Sequence, residues 1–407
     1  MRAPTASRLR VLAILGALIA SAGACSSSQA ADSTSSSSSP PSSSASSASS
    51  AATSSPASTD DLLPGMPPPL SPTNVYAADT PNNFSPTVQG DRALVYVPNS
   101  KSNSVTIIDQ QTMAVIGTYP ITMGTEPQHV VPSYDLKTLY VASDLGPGSL
   151  TPIDPKTGQI GAPFLIDDPY NLYFTPDGLH AIVVAEDRKR LDFYDPHTWK
   201  LQHQLSVPNC AGIDHLDFTA NGRRMLVSCE FADRMAVVDV ATETVLHLID
   251  LPHPGGMPQD VKLSPDGSVF YVADMMANGI YIIDGNATAV KGFIATGKEA
   301  HGLYVDRNAT RLFITNRGEG SISVLDLATG KLTAKWVIPG GGSPDMGNIS
   351  ADGTIFWVAG RYNGVVYAIS TVDGHLIKKI PVGKGPHGLC VWPLPGRYSL
   401  GHTGILR

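Results

Sequence analysis

From residue 87 onward, short apolar runs alternate with turn residues in a cycle that repeats seven times. A turn residue is followed five positions later by a large apolar one: Asp91 and Tyr96, Asp135 and Tyr140, Asp177 and Ile182, Asn221 and Leu226. The series ends with Asp266 and Tyr271, Asn308 and Phe313, Asp352 and Trp357, at intervals of 42–45 residues. A second marker keeps the same period, an apolar run closing on Asp109, Asp154, Asp195, Asp239, Asp284 and Asp326, with Ser370 in the seventh copy. Between the markers the pattern has the two-residue alternation and Gly/Asn/Asp turns of strands and hairpins. The fifth copy reads QDVKLS, the turn PDG, VFYVAD, IYIID, the turn GNAT, then VKGFIATG. Four strands in 40–45 residues make one propeller blade. The first copy has no evident innermost strand, and the segment Pro386–Trp392 matches the opening of the others. The expected fold is therefore an all-β seven-bladed β-propeller of four-stranded blades over 87–407, its ring closed by a C-terminal strand.

The first 86 residues follow another pattern. Residues 1–24 join a basic start (Arg2, Arg8, Arg10) to the ten-residue apolar run Val11–Ala20. That run is about half the length needed to span a bilayer, so it reads as a secretory signal peptide. Ala22-Gly23-Ala24 suits ordinary cleavage, and with Cys25 it also resembles the bacterial lipobox, from which Ala22 departs by standing where Leu is usual. Between Ser26 and Ser58, 19 residues are serine, too few of them apolar to fold. Residues 25–60 are accordingly expected to be a Ser-rich disordered tether behind a lipidated Cys25, and 61–86 a Pro-rich lead-in packed on the domain. The expected location is the outer face of a bacterial cell membrane, with free secretion as the alternative.

Composition sharpens this picture. With 38 Gly, 33 Pro and only 15% charged residues, the chain is rich in turns and poor in the charged faces of exposed helices. Net charge is −7, and −10 once the three arginines of the first 24 residues are removed. No nucleic-acid partner is expected. A monomer is.

Units such as Met257–Asp284 (MPQDVKLSPDGSVFYVADMMANGIYIID) and Ala300–Asp326 resemble the YVTN/YncE family of seven-bladed propellers. More distantly they resemble the cytochrome d1 domain and lactonase-type propellers. The resemblance implies the fold; its members differ in function.

Propeller sites form at a mouth of the central channel. Aligning the innermost strands brings His129, Asn171, Asp214, His215, Asp260, His301, Asp345 and His387 to one ring, with Arg317 and Arg361 near second-strand ends. Second-strand ends also supply Asn99, Asp144, Glu186, Glu230, Asp274 and Asn316. Three readings stay open: a solvated polar rim, a site for a small polar ligand, or a divalent metal held by some of His129, His215, Asp260, His301 and His387. Cys210 and Cys229 reach the same mouth and are expected to form a disulfide rather than remain two thiols, while Cys390 reads as a buried small hydrophobe. C-x-x-C-H, G-x-S-x-G, H-E-x-x-H and the P-loop pattern are all absent from the sequence. The expected function is binding of a small polar ligand or a surface protein at the channel mouth. The alternative is a metal-dependent hydrolase of lactonase type.

Overall fold

In the computed structural model, residues 61–407 are described. The expected signal peptide and tether, with Cys25, lie outside them. The strands form seven antiparallel sheets around one axis. Blades 2 to 7 open with the innermost strands Thr125–Pro132, Pro169–Phe174, Ile213–Phe218, Pro258–Leu263, Ala300–Val305 and Pro344–Ile349. Blade 1 takes Cys390–Trp392 as its innermost strand, paired antiparallel with Leu94–Asn99 through Leu94–Trp392, Val95–Val391 and Tyr96–Cys390. The expected closure of the ring is thus observed.

The turn markers have a common chemistry. Ser133, Thr175, Thr219 and Ser264 each donate a hydroxyl hydrogen bond to the turn residue two positions on, at 2.6–2.8 Å. At the outer hairpins the carboxylates of Asp109, Asp195, Asp239 and Asp326 accept from the backbone N–H and the hydroxyl of a threonine three residues later. These are Asx turns, and they account for the repeated aspartate without any further role.

Burial falls from the axis outward. The strand Ile213–Phe218 is wholly buried, whereas outermost strands such as Leu201–Ser206 and Lys331–Val337 are mostly exposed. Blade 2 departs from the pattern. Its outer edge is split into Gln159–Ile160 and Phe164–Leu165, both pairing with Ser149–Asp154. Gly161-Ala162-Pro163 lies between them, and proline has no N–H to offer a ladder.

The two segments outside the repeat meet at the end of the channel where the innermost strands finish. The lead-in is hung there by Leu63 N–H to Asn221 O, Val75 N–H to Pro265 O and Asn82 N–H to Ala351 O. The Arg307 guanidinium grips both oxygens of Asp79 at 2.7 Å. Residues 393–407 cross the channel from below. His402 N–H donates to Leu172 O, Asn348 Nδ2 donates to Thr403 O at 2.9 Å, and the Arg407 guanidinium reaches Asp217 Oδ1 at 3.0 Å. Arg407 also lies 4.5 Å over the ring of Tyr76, so tail and lead-in form one stopper. Among the described residues, no helix is long and apolar enough to cross a membrane.

Candidate functional site

The opposite end of the channel is built by an irregularity shared by several blades. Where each innermost strand begins, its ladder to the second strand shifts register. The shift falls between Ile213 and Leu216, Pro258 and Val261, Ala300 and Leu303, and Pro344 and Gly347. Such bulges turn side chains out of the regular alternation. The residues they displace include Asp214, His215, Asp260, His301 and Asp345. The N–H groups freed by the shift are met by second-strand hydroxyls: His215 N–H donates to Ser228 Oγ at 2.9 Å and Gly302 N–H to Thr315 Oγ1 at 2.7 Å.

The sequence set these side chains at an open mouth. The structure sinks them: His129, Asn171, Asp214, His215, Asp260 and Asp345 are 0% exposed, and His301 and His387 are 2%. The displaced residues face the channel, and the tail fills that channel from the other side. The solvent-facing rim is made instead by Arg317, Arg361, Tyr170 and Glu230, which are partly exposed, with Tyr362 beyond them.

Two clusters result. At the rim, Asp345 is a hub. Its Oδ2 accepts from His387 Nδ1 at 2.6 Å, and its Oδ1 accepts from Arg317 Nη1 at 3.1 Å. Oδ1 also lies 3.4 Å from His301 Nδ1, and Arg361 Nε is 4.0 Å from Oδ2. Arg361 Nη1 donates to Ser100 Oγ at 3.1 Å, and the Arg317 guanidinium carbon sits 5.3 Å over Tyr362. Both guanidiniums therefore stand on the side of blades 6 and 7. Across the mouth Asp214 is buried near Glu230 and Glu186. Burial first, and then those two acids, hold its carboxyl well above the usual range.

Deeper lies a histidine cluster. His129 packs against His215, His387 and His402 with ring centroids 5.5, 4.9 and 5.3 Å away, and His215 lies 4.7 Å from His402. Asn171 Nδ2 touches Nδ1 of both His215 and His402 at 3.0 Å, and Tyr173 stacks on His402. Burial, the largest cause in each case, pushes His129 down to about 4 and His215, His301, His387 and His402 well below the ordinary histidine value, so all five are neutral at pH 7. Asp260 borders this group, with Oδ1 3.7 Å from His402 Nε2, and also bridges two blades. Its oxygens accept from Val261 N–H and Leu303 N–H at 2.9 and 2.8 Å, and burial raises its carboxyl to about 6. The sequence reading did not include His402, because it lies beyond the last repeat. The only signal was a histidine between glycines in the final residues, Gly401-His402-Thr403-Gly404.

Cys210 and Cys229 are joined in a disulfide that ties the lead into the innermost strand of blade 4 to the end of its second strand. Cys390 is a buried free thiol.

The profile of the YNCE-like β-propeller family matches residues 93–396. The chain belongs to that family. Among curated proteins no sequence relative is found. Solved structures agree on the fold. The periplasmic gluconolactonase of Pseudomonas aeruginosa superposes with a TM-score of 0.62 at 18% identity, covering 74% of this chain and 99% of its own. A protein of unknown function from Desulfotomaculum acetoxidans gives 0.60 at 15%, covering 74% and 98%. Hydrazine synthase of Kuenenia stuttgartiensis gives 0.56 at 18%, covering 71% and 97%. At such identities the YNCE-like chain shares their architecture, and chemistry must be argued from its own side chains.

Proposed function

We propose that this YNCE-like propeller is an exported protein, lipid-anchored through Cys25 at the outer face of the cell membrane, that binds a small polar ligand at the channel mouth. One observation carries the reading: the other end of the channel is stoppered by the tail and lead-in, so a ligand has one end to approach. That end is electrostatically divided, with Arg317 and Arg361 around Asp345 on one side and Glu186 and Glu230 beside the Asp214 carboxyl on the other. A ligand carrying a carboxylate beside several hydroxyls matches this division, the carboxylate toward the guanidiniums. The gluconolactonase likeness makes sugar acids a reasonable first panel.

The test is thermal-shift and calorimetric titration with hydroxy-carboxylic acids and with the corresponding neutral sugars. Saturable binding of an acid, weakened at least tenfold in Arg361→Gln, supports the reading. No binding by any acid, or equal binding by the neutral sugars, overturns it. Turnover of a lactone that is lost in His215→Ala and Asp260→Ala would favour the hydrolase alternative. For the anchor, the intact mass of detergent-extracted protein should exceed the polypeptide from Cys25 to Arg407 by a diacylglyceryl group, whereas an unmodified chain in the medium refutes it.

A further inference from the structure

Three buried imidazoles converge where the stopper meets the innermost strands. His129, His215 and His402 each bring one ring nitrogen within 4.8 Å of the other two. In all three the Nε2 atom is buried without a hydrogen-bond partner. His215 Nε2 is 3.2 Å from Asp214 Oδ1 but is not aligned for a hydrogen bond. Three such atoms in one core are costly, because each buried polar atom left unpaired loses its hydration with nothing in return. Their Nδ1 atoms, by contrast, are all engaged. His129 Nδ1 lies 2.9 Å from Tyr170 O, a carbonyl that can only accept, so Nδ1 carries the proton and Nε2 keeps its lone pair. A histidine whose Nδ1–H is held by a backbone carbonyl and whose Nε2 is free has the arrangement of a metal ligand with its supporting contact.

We infer that His129, His215 and His402 form a binding site for a divalent transition metal, zinc first, whose ligand from the C-terminal tail fastens the stopper into the propeller. Neutral imidazole suits such ions, and three nitrogens leave a fourth position for Asp214 or a water. Zinc–nitrogen bonds of about 2.0–2.1 Å would bring the nitrogens to roughly 3.3 Å from one another, so the rings must converge by about an ångström or more. Glu230 and Glu186, the acids beside Asp214, add negative potential on the His215 side.

Asn171 sets the tautomers. With Nδ2 toward the rings, it donates to Nδ1 of His215 and His402, which leaves their protons on Nε2. Turning the amide by half a revolution presents the carbonyl to two Nδ1–H groups and frees both Nε2 lone pairs, at the cost of the 2.9 Å bond that Leu172 N–H donates to Oδ1 in the unturned amide. Metal binding therefore selects the turned amide, and Asn171 is a positioning residue for the site.

The inference is independent of ligand binding at the mouth, and its test reads metal alone. Untagged full-length protein, stripped with a chelator, is titrated with Co²⁺ and then Zn²⁺. One equivalent of Co²⁺ should give the visible absorption of a tetrahedral site, which Zn²⁺ then bleaches. His402→Gln should weaken Zn²⁺ binding by at least ~100-fold, since loss even of a supporting residue costs 10–100-fold. His301→Gln, outside the trio, should bind as wild type. Asn171→Asp, which offers only acceptors, should retain binding, and Asn171→Leu should lose about 10–100-fold. Far-ultraviolet circular dichroism checks that each variant is folded. The wild-type titration needs no variant: no saturable Co²⁺ site there overturns the inference. So does a Co²⁺ signal unchanged in His402→Gln.

Discussion

Replacing Asp345 by Asn tests whether the rim is held by charge or by shape. The two side chains are nearly isosteric, so packing is kept while one negative charge is removed from a site with 0% exposure. Arg317 Nη1 lies 3.1 Å from Asp345 Oδ1, and its side chain is 11% exposed. At that separation the attraction is about 5 kcal/mol with an effective dielectric constant of 20. Part of it is offset by the desolvation both ions have already undergone. The asparagine has one carbonyl oxygen where the aspartate has two carboxylate oxygens. It can accept from His387 or from Arg317, and its NH₂ then faces the other donor. Breaking one side of a buried pair costs about 3–5 kcal/mol; with Arg317 keeping some access to water and to Glu299 at 3.6 Å, about 3 kcal/mol is expected. In a domain of this size that lowers Tm by about 4 °C. Urea unfolding of Asp345→Asn, Arg317→Met and the double variant gives the coupling directly, expected at about 2 kcal/mol. An Asp345→Asn loss under 1 kcal/mol, or a coupling below about 0.5 kcal/mol, would refute the charge-held rim.

Four further outcomes are expected. Arg407→Met leaves the buried Asp217 without its guanidinium and should cost about 3 kcal/mol in urea unfolding, with Asp217→Asn in the same chain recovering part of it; a neutral Arg407→Met would show that the stopper is held by packing alone. Removing the Cys210–Cys229 disulfide as a Ser/Ser pair should cost about 3 kcal/mol for a bridge spanning 19 positions, while Cys390, whose thiol burial pushes upward, should stay unreactive toward a thiol reagent until the protein unfolds. For pH, His301 titrates in the unfolded chain near 6.5, and burial, with Arg317 and His387 adding to it against Asp345, holds it well below that in the fold. Its contribution is therefore complete above pH 6.5 and is lost as pH falls, by about 1.4 kcal/mol per unit, so His301→Gln should lower the slope of stability against pH between 6.5 and 4.5 by about one proton; an unchanged slope would count against a neutral buried ring.

The fold was legible because two unrelated markers share a period, and each has a local physical cause: the Ser/Thr-capped turn and the Asx hairpin. Closure could be foreseen from a surplus at one end of the chain matching a deficit at the other. The candidate site was only half legible. Period alignment brought His129, His215, His301 and His387 to one level of the channel, because a bulge recurs at the same point of the blades. It could not give their depth, since burial there depends on residues 393–407, which obey no repeat. His402, Tyr173 and the paired rings were missed for the same reason. The division of charge was visible residue by residue, but Asp345 as its hub was not. That role depends on Asp345, Arg317, His387 and Arg361 meeting across the boundaries of blades 6, 7 and 1.

The pairing of Leu94 with Trp392 also sets a timetable. The strand that opens the first blade waits for a partner made almost three hundred residues later, so a chain emerging from its N-terminus carries an unpaired β-edge for nearly the whole of its emergence. Six blades can stack before the seventh joint exists, but the cylinder remains an open stack until the last residues arrive. The strand that latches the cylinder and the segment that stoppers it are contiguous, so closure and sealing form one late event. A chain cut shortly before residue 390 would lose both together and leave the inner edge of Leu94–Asn99 unpaired, a molecule prone to find its missing strand on a neighbour.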